Sequence, residues 1–376
     1  MGIKLKLNKK HLTAYLFIGP AVSLIGIFYV FPLFFALFVS LFKWRIKPVK
    51  LIYWDNYLQA LGPIWLQLLA VLVGIALYLG YKKIPEQRGS TPKRVLNLVT
   101  VIAVIVFFSL FSVWGDQDFF ASLRVTFWYS LGTVPVQVGA GFLLAVILDQ
   151  RFKGKQIFRV FFLLPYIVPS VATAAVFERI FSLRPESFAN TILSLFGLEP
   201  LQWLQETKGI FELLLGWSVS TSEGWSGYWQ SWASGPSLAL ITVMIFNWWI
   251  FTGYYTLIYS NGLVQIPRQL YEAAELDGAS FFQKIRYIMI PLVKPVTLFL
   301  TMLGIIGTFK AFNHIYVLRR PGVRSAIDTM SINIFFTFFR KSRFGYAAAL
   351  SMILLLVVIG LTKLQQNLLG KESRRG

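Results

Sequence analysis

Eight long apolar stretches constrain this chain more strongly than any other feature of its sequence. A helix that crosses a bilayer needs about 20 mostly apolar residues, and lipid forces backbone polar groups to pair within helices or closed barrels. The stretches of this length are 13–42, 63–81, 95–114, 124–148, 158–181, 238–258, 296–317 and 343–366. The sequence therefore predicts an all-α, polytopic membrane protein with about eight transmembrane helices.

Composition agrees with a membrane protein and excludes other classes. Of 376 residues, 56% are hydrophobic and 14% are charged, whereas soluble domains are about 25% charged. The net charge is +20, but Lys and Arg lie in short clusters beside the apolar stretches, as lipid anchors do. A nucleic-acid-binding protein gathers them on one soluble face, so we expect no nucleic-acid partner. The absence of cysteine excludes disulfides and thiolate metal sites.

The charge distribution predicts the orientation in the membrane. If the N-terminus is cytoplasmic and eight helices alternate, the cytoplasmic segments hold 21 of the 36 Lys and Arg but only six of the 16 Asp and Glu. This bias follows the positive-inside rule. We therefore expect a multi-pass protein in contact with membrane lipid, with N- and C-termini both cytoplasmic.

One polar stretch, Tyr271 to Pro295, is expected on the cytoplasmic side between two spans. Its apolar residues recur near helical spacing, and Gly278 interrupts them, which predicts a helix, a turn and a second short helix. The residues alone leave two roles open. The stretch is either a solvated helix on the lipid headgroups or a docking site for a soluble partner.

The spacing within this stretch resembles the EAA loop of ABC-importer permeases. That pattern is Glu-Ala-Ala, three residues, Gly, nine residues, then Ile-x-Leu-Pro, and Ile290 is the only departure from it. The matching residues are Glu272, Ala273, Ala274, Gly278, Ile288 and Pro291. The stretch "LFIGPAVSLIGIFYVFPLFFALFVSLFKW" also resembles the first helix of the carbohydrate-uptake branch, the maltose-type and glycerol-phosphate-type permeases. The resemblance covers about 10–60, 116–204 and 236–366.

The resemblance implies a type I ABC importer permease fold in the cell (inner) membrane, and a transport subunit rather than an enzyme. The implied partners are a second permease subunit, two ABC ATPase subunits, and an external solute-binding protein that delivers a sugar-like solute. The chain has no G-x-x-x-x-G-K-[ST] phosphate loop, so we expect no cofactor here and ATP and Mg²⁺ in the ATPase subunits.

Other functions are alternatives to sugar import. Glycerol-3-phosphate or another glycerol-linked solute is the nearest. An inverted repeat in the sequence would favour a channel or secondary transporter that works alone. A membrane-embedded enzyme would need clustered carboxylates or histidines at the bilayer surface. The sequence shows neither feature.

The resemblance also predicts how the chain is divided. We expect an N-terminal tail, first helix and external loop in 1–62, an extra hairpin in 63–115, a core permease domain in 116–366 and a tail in 367–376. An insert at about 205–235 and the EAA coupling loop 268–295 lie within the core. The insert is rich in Trp, which favours an interfacial anchor, with stacking on sugar rings as the alternative. Hairpin and insert are both expected at the outer side, where they can touch.

The resemblance assigns roles within the coupling loop. Glu272 is expected to pair with a basic residue of the ATPase cleft, and Ala273 and Ala274 keep the helix slim for close approach. Gly278 allows the turn, and Pro291 is expected to end the second helix at the membrane. The predicted coupling residues are Glu272, Ala273, Ala274, Asp277, Gly278, Ile288 and Pro291.

Polar residues inside the spans are the candidates for the solute site. Asn247 and Tyr254 are seven residues apart, hence on one helical face, and they match a sugar-contacting asparagine and tyrosine of the maltose-type permease. The alternative is that Asn247 joins two helices. In the next predicted helix, Gly307, Lys310 and Asn313 fall three residues apart.

Gly307 is expected to open a cavity, and the alternative role for it is close helix packing. Lys310 and Asn313 are expected to donate hydrogen bonds to hydroxyls of the solute. Lys310 stands where the maltose-type permease has a neutral amide, which leaves room for an anionic or glycerol-linked solute.

Overall fold

The computed structural model describes residues 9–45, 47–83, 91–150, 153–216 and 225–373. Helices make up most of it. In chain order the elements are α1 (Lys9–Ile25), α2 (Phe31–Ser40), β1 (Phe42–Trp44), β2 (Pro48–Leu51), α3 (Asp55–Leu61), α4 (Ile64–Lys83), α5 (Thr91–Trp114), α6 (Gln117–Asp149), α7 (Lys155–Ile167), α8 (Ser170–Ile180), α9 (Phe188–Leu195), α10 (Ile210–Leu215), α11 (Trp225–Ala233), α12 (Leu238–Val264), α13 (Arg268–Leu276), α14 (Phe281–Lys284), α15 (Ile290–Leu292), α16 (Lys294–Phe309), α17 (Asn313–Leu318), α18 (Arg324–Ile327), α19 (Met330–Phe339) and α20 (Phe344–Ser373). Two π-helical turns, Gly26–Val30 and Ile285–Met289, and a 3₁₀ turn, Pro321–Val323, join some of these helices.

Each of the eight predicted stretches contains a helix. Within the described residues, four helices are long and apolar enough to cross a membrane, or up to seven if each bent pair counts as one span. Two shorter apolar helical segments are Leu98–Trp114, which is part of α5, and Met330–Phe339, which is α19. The prediction of an all-α polytopic fold is confirmed; the short hairpin of β1 and β2 is an addition that the hydrophobic pattern did not predict.

Two predicted spans are broken rather than continuous. The span expected over 158–181 consists of α7 and α8, which are bent by 96°. Val168 is extended, with ψ 137°, and Pro169 caps α8, because a residue before proline is pushed out of the helical region. The span expected over 296–317 ends at Phe309, and the chain becomes helical again only at Asn313.

One compact unit comprises Met1–Ala60 with Ile334–Ile353. Its apolar helices α1 and α2 are largely exposed, as helices that face lipid are. Strands β1 and β2 are antiparallel, with Phe42 opposite Leu51. The buried Asn56 donates its amide hydrogens to the carbonyl oxygens of Ser40 and Phe42, at 2.7 and 3.1 Å, and so fastens the hairpin to α3.

The second unit, Leu61–Asn333 with Leu354–Gly376, holds the helix bundle. Helices α6, α12 and α16 form its centre, and the Tyr255 hydroxyl of α12 donates to the Leu300 carbonyl of α16 at 3.2 Å. Helix α7 crosses α12 at Gly253, where a Cβ atom would lie only 1.8 Å from the Phe162 carbonyl oxygen. Glycine is therefore required there for the two backbones to approach.

The extra hairpin and the Trp-rich insert contact each other, as expected. Helices α4 and α5 form the hairpin, and the ring of Phe108 in α5 lies 6.2 Å from Tyr228 and 6.0 Å from Trp232 of the insert. Trp232 also contacts Phe127 of α6 at 5.3 Å. Trp232 is thus half-buried among rings of the protein, and the interfacial role of the insert stays a prediction. Of the other insert tryptophans, Trp217 lies outside the described residues, as does the side chain of Trp225.

Candidate functional site

A cavity of about 290 Å³ lies inside the bundle, between α6, α8, α12, α16 and α17. We call it the solute cavity. Small-molecule sites measure about 300–1,000 Å³ and combine an apolar wall with a few convergent polar groups, and this cavity has that composition at the lower end of the range. Its polar wall is formed by Gln137, Ser170, Asn247, Thr308, Lys310, Asn313 and His314.

Four buried polar side chains form a hydrogen-bonded network beside the solute cavity. The Gln137 amide nitrogen donates to the side-chain oxygen of Asn247, and to its backbone oxygen at 3.0 Å. The Asn247 amide donates to the Tyr129 hydroxyl, which lies 2.7 Å from His314 Nε2. All four residues are at most 7% exposed. Because buried polar groups are costly without partners, the network satisfies them and fixes the cavity wall.

Asn247 therefore lines the cavity and also joins helices α6 and α12, and its contact with a solute stays a prediction. Its amide oxygen has two lone pairs, so a solute hydroxyl can still donate to it. Tyr254 does not line the cavity, although it shares a helical face with Asn247. Its ring stacks on Tyr166 of α7 at 4.6 Å, because α7 covers α12 where the two backbones cross.

Gly307, Lys310 and Asn313 all line the solute cavity, but not from one continuous helix as predicted. Helix α16 ends at Phe309. The hydroxyl of Ser331 donates to the Phe309 carbonyl at 3.0 Å, and that of Thr329 to the Ala311 carbonyl at 3.3 Å. These side chains replace the backbone donors that a longer helix would supply.

The three residues form the open side of the cavity. A Cβ atom on Gly307 would meet nothing within 4 Å, so Gly307 leaves space and does not serve close helix packing. Lys310 and Asn313 are exposed. Lys310 lies at the C-terminal end of α16, where a positive charge complements the helix dipole. It takes part in no ion pair among the residues that the structure describes.

Sequence reasoning missed Tyr129, Gln137 and His314. A polar residue inside a membrane span is a functional candidate, and this signal was present for Gln137 and His314, which lie within predicted spans. Their convergence on Asn247 depends on contacts more than 60 residues apart in sequence.

The coupling loop is a helix, a turn and a second helix, as predicted. Asp277 is the C-cap of α13, and Gly278 follows with φ +73°. The Gly278 N–H donates to the Glu275 carbonyl at 3.1 Å, and the Ala279 N–H to the Ala274 carbonyl at 2.8 Å. This is a Schellman motif, in which glycine takes the left-handed conformation at low cost.

The second helix starts with a capping box. The Ser280 hydroxyl accepts from the Gln283 backbone N–H at 3.4 Å, and the Gln283 side chain accepts from the Ser280 N–H at 2.6 Å. The second helix ends at Leu292, one residue after Pro291, and that Pro291 causes this end at the membrane stays a prediction. After Leu292 the chain bends by 66° into α16.

An ion pair braces the two helices of the loop. Lys284 Nζ lies 2.8 Å from Glu275 Oε1, and this hydrogen bond lowers the pKa of the Glu275 carboxyl below its ordinary value. The pairing is therefore complete above the ordinary pKa and is lost as the pH falls through the lowered value.

The loop presents an open face and an anchored face. Glu272 and Ala273 are exposed, and Leu276 and Phe282 beside them are 91% and 78% exposed. Ile288, by contrast, packs against the buried core cluster of α6, α12 and α16. The loop is thus held to the bundle on one side, and its other side is exposed among the residues that the structure describes.

These features define a class of protein: a multi-pass membrane subunit with a polar cavity in its bundle and a rigid, exposed helix–turn–helix outside it, which is the architecture of a transport permease. The family described as binding-protein-dependent transport system inner membrane component matches residues 137–371, and the chain belongs to this family. The predicted resemblance is confirmed. The protein is a permease of a binding-protein-dependent ABC importer and not an enzyme.

Relatives and a solved structure agree with this assignment. The trehalose/maltose transport system permease protein MalF of Thermococcus litoralis is 29% identical over 250 residues, which cover 66% of this chain and 74% of the relative. The lactose transport system permease protein LacF of Rhizobium radiobacter is 28% identical over 283 residues, 72% of this chain and 84% of the relative.

The fold is similar to that in a bacterial alginate ABC transporter in complex with an alginate pentasaccharide-bound periplasmic protein. The TM-score is 0.57 at 18% identity, and the match covers 82% of this chain and 95% of that chain.

Proposed function

We propose that this chain is the permease subunit through which an ATP-driven ABC importer takes up a sugar or sugar-like solute. The observation that carries the proposal is the polar wall of the solute cavity, where Gln137, Asn247 and Asn313 present amide groups. A sugar hydroxyl both donates and accepts, and an amide offers both functions. The relatives named for trehalose, maltose and lactose transport support the same class of solute.

Lys310 bears on the alternative solute, glycerol-3-phosphate or another glycerol-linked compound. A cation at the cavity mouth without an ion-pair partner in the described part of the chain suits an anionic group. The amide-rich wall and the names of the relatives favour a neutral sugar instead. We therefore propose that Lys310 donates hydrogen bonds to sugar hydroxyls.

The open face of the coupling loop is proposed to dock on an ABC ATPase subunit. Glu272 supplies a charge for a basic residue of the ATPase, Ala273 and Ala274 permit close approach, and Asp277 with Gly278 sets the turn. Ile288 then carries the motion to the bundle core. ATP and Mg²⁺ are proposed to bind two ATPase subunits, with a second permease subunit and an external solute-binding protein completing the importer.

This assembly fixes the proposed orientation. The coupling loop and both termini lie in the cytoplasm, and so does the basic turn of the extra hairpin. A cysteine placed at Ser90, outside the described residues of this cysteine-free chain, is expected to react with an impermeant reagent only after the membrane is opened.

Filling the solute cavity tests the proposed function. Gly307→Leu places a side chain in the cavity, whereas Gly360→Leu is a matched control in α20, where a Cβ atom also meets nothing within 4 Å. Vesicles with the whole importer, its binding protein and ATP are assayed with labelled trehalose, maltose and lactose. We expect ATP-dependent uptake of at least one sugar, lost in Gly307→Leu and kept in Gly360→Leu. Equal uptake by both variants would place the sugar path elsewhere.

A further inference from the structure

A second cavity, of about 570 Å³, lies within the extra hairpin, between α4 and α5. We call it the hairpin groove. It is separate from the solute cavity and shares no residue with it. The groove is lined by Ala70, Val73, Gly74, Leu77, Thr100, Ala103, Val104, Phe107, Phe108 and Phe111.

The wall of the hairpin groove suits an apolar occupant. Thr100 has the one polar side chain in the lining, and its hydroxyl already donates to the Leu96 carbonyl at 2.8 Å. A water molecule needs two to four polar partners to occupy a cavity, and this wall offers no free donor. Small residues create the space: a Cβ atom on Gly74 would meet nothing within 4 Å.

One end of the groove is directed to the helix ends at which the sequence carries a cluster of basic residues. Helix α4 ends with Lys82 and Lys83, and α5 has Lys93 and Arg94 in its first turn. The groove residue Leu77 is six residues before Lys83 on α4, and the groove residue Thr100 is six residues after Arg94 on α5. Six residues span about 9 Å along a helix that rises 1.5 Å per residue. Glu86 is the one acid in 63–115, so the cluster is strongly cationic.

The other end of the groove is walled by aromatic rings. Phe108 contacts Phe120 at 5.7 Å, and it also contacts Tyr228 and Trp232 of the insert. The groove therefore has a direction: it runs from a basic end to an aromatic end. From Thr100 to Phe111 it extends about 16 Å along α5, which is close to half of a bilayer core of about 30 Å.

The dimensions favour a lipid chain over a protein helix. A helix with side chains is about 10 Å wide, so a 16 Å length of it fills roughly 1,200 Å³, about twice the groove volume. We infer that the hairpin groove binds an anionic phospholipid, with an acyl chain between α4 and α5 and its phosphate near the basic helix ends. Basic residues beside membrane helices attract such headgroups.

The first test measures lipid that stays bound. The whole importer is purified in mild detergent, and its phospholipid adducts are measured by native mass spectrometry. Gly74→Leu combined with Ala103→Leu fills the groove and is expected to reduce bound phospholipid about tenfold, because the new side chains take the volume in which the acyl chain packs. Ala76→Leu is the matched control, since Ala76 is exposed on α4 outside the groove.

The second test separates the headgroup from the chain. Importer in vesicles of mixed phosphatidylglycerol and phosphatidylethanolamine is expected to retain the anionic lipid preferentially. Lys82→Gln with Lys93→Gln leaves the groove intact and should lower that preference roughly tenfold.

Equal lipid retention by wild-type protein and the groove-filling variant would overturn the proposal. So would a crosslink from a cysteine at position 103 (Ala103→Cys) to a partner subunit, because a protein helix would then occupy the groove.

Discussion

Replacing Asn247 with alanine separates the two roles of this residue. Asn247→Ala removes two short side-chain hydrogen bonds, from Gln137 and to Tyr129, and a longer contact of 3.4 Å with His314 Nε2. Both partners retain a hydrogen bond in this variant. Gln137 still donates to the backbone oxygen of residue 247, and the Tyr129 hydroxyl still pairs with His314. Hydrogen bonds inside membrane proteins contribute about 0.6 kcal/mol each on average and up to about 1.7. The loss of stability should therefore be about 1–2 kcal/mol, small enough for the importer to assemble.

Tyr129→Phe is the matched control. It also removes two hydrogen bonds of the network, so it should lower the thermal unfolding midpoint of the complex by a similar amount. Tyr129 does not line the solute cavity, however, whereas Asn247 does. A hydrogen bond to a solute hydroxyl contributes about 0.5–1.5 kcal/mol, so Asn247→Ala should lower sugar uptake at limiting concentration about two- to tenfold, and Tyr129→Phe should not.

The assay is uptake of labelled sugar into vesicles over a range of concentrations, normalised to assembled complex. If the two variants show the same thermal shift and the same uptake, Asn247 serves only to join helices and the reasoning fails.

Three further changes have definite expected outcomes. Gly253→Ala forces a Cβ atom against a carbonyl of α7 and should abolish assembly of the importer, measured by size exclusion. Gly139→Ala, where a Cβ atom meets nothing within 4 Å, should leave assembly intact. Normal assembly of Gly253→Ala would disprove the close contact. Glu272→Lys should release the ATPase subunits in copurification, since a reversed charge in a docked contact costs several kcal/mol. Glu199→Lys, at an exposed position, should retain them. Loss of the ATPase subunits in both variants would mean a general charge effect. Lys310→Gln should change neutral-sugar uptake less than about threefold, in keeping with a single hydrogen bond; a much larger loss confined to a sugar phosphate would favour the anionic solute.

Local sequence patterns predicted the features whose causes are local. Apolar stretches marked the helices, and Gly278 marked the turn of the coupling loop because one residue there must take a positive φ. Of the five predicted solute-site residues, all except Tyr254 line one cavity. Whether they and the coupling residues act as proposed stays a prediction.

Features with distant causes were not predictable in the same way. Helix α16 ends where it does because hydroxyls some 20 residues later cap its carbonyls. Tyr254 is excluded from the cavity by Tyr166, on a different helix.

ATP hydrolysed on separate subunits is proposed to drive a sugar through this chain. The most direct measurement is sugar uptake by vesicles that contain the purified importer, with binding protein on one side and ATP on the other. We expect sugar to accumulate against a gradient only when both are present, and this accumulation to be lost in Glu272→Lys. Sugar entry that needs neither ATP nor binding protein would contradict this proposal.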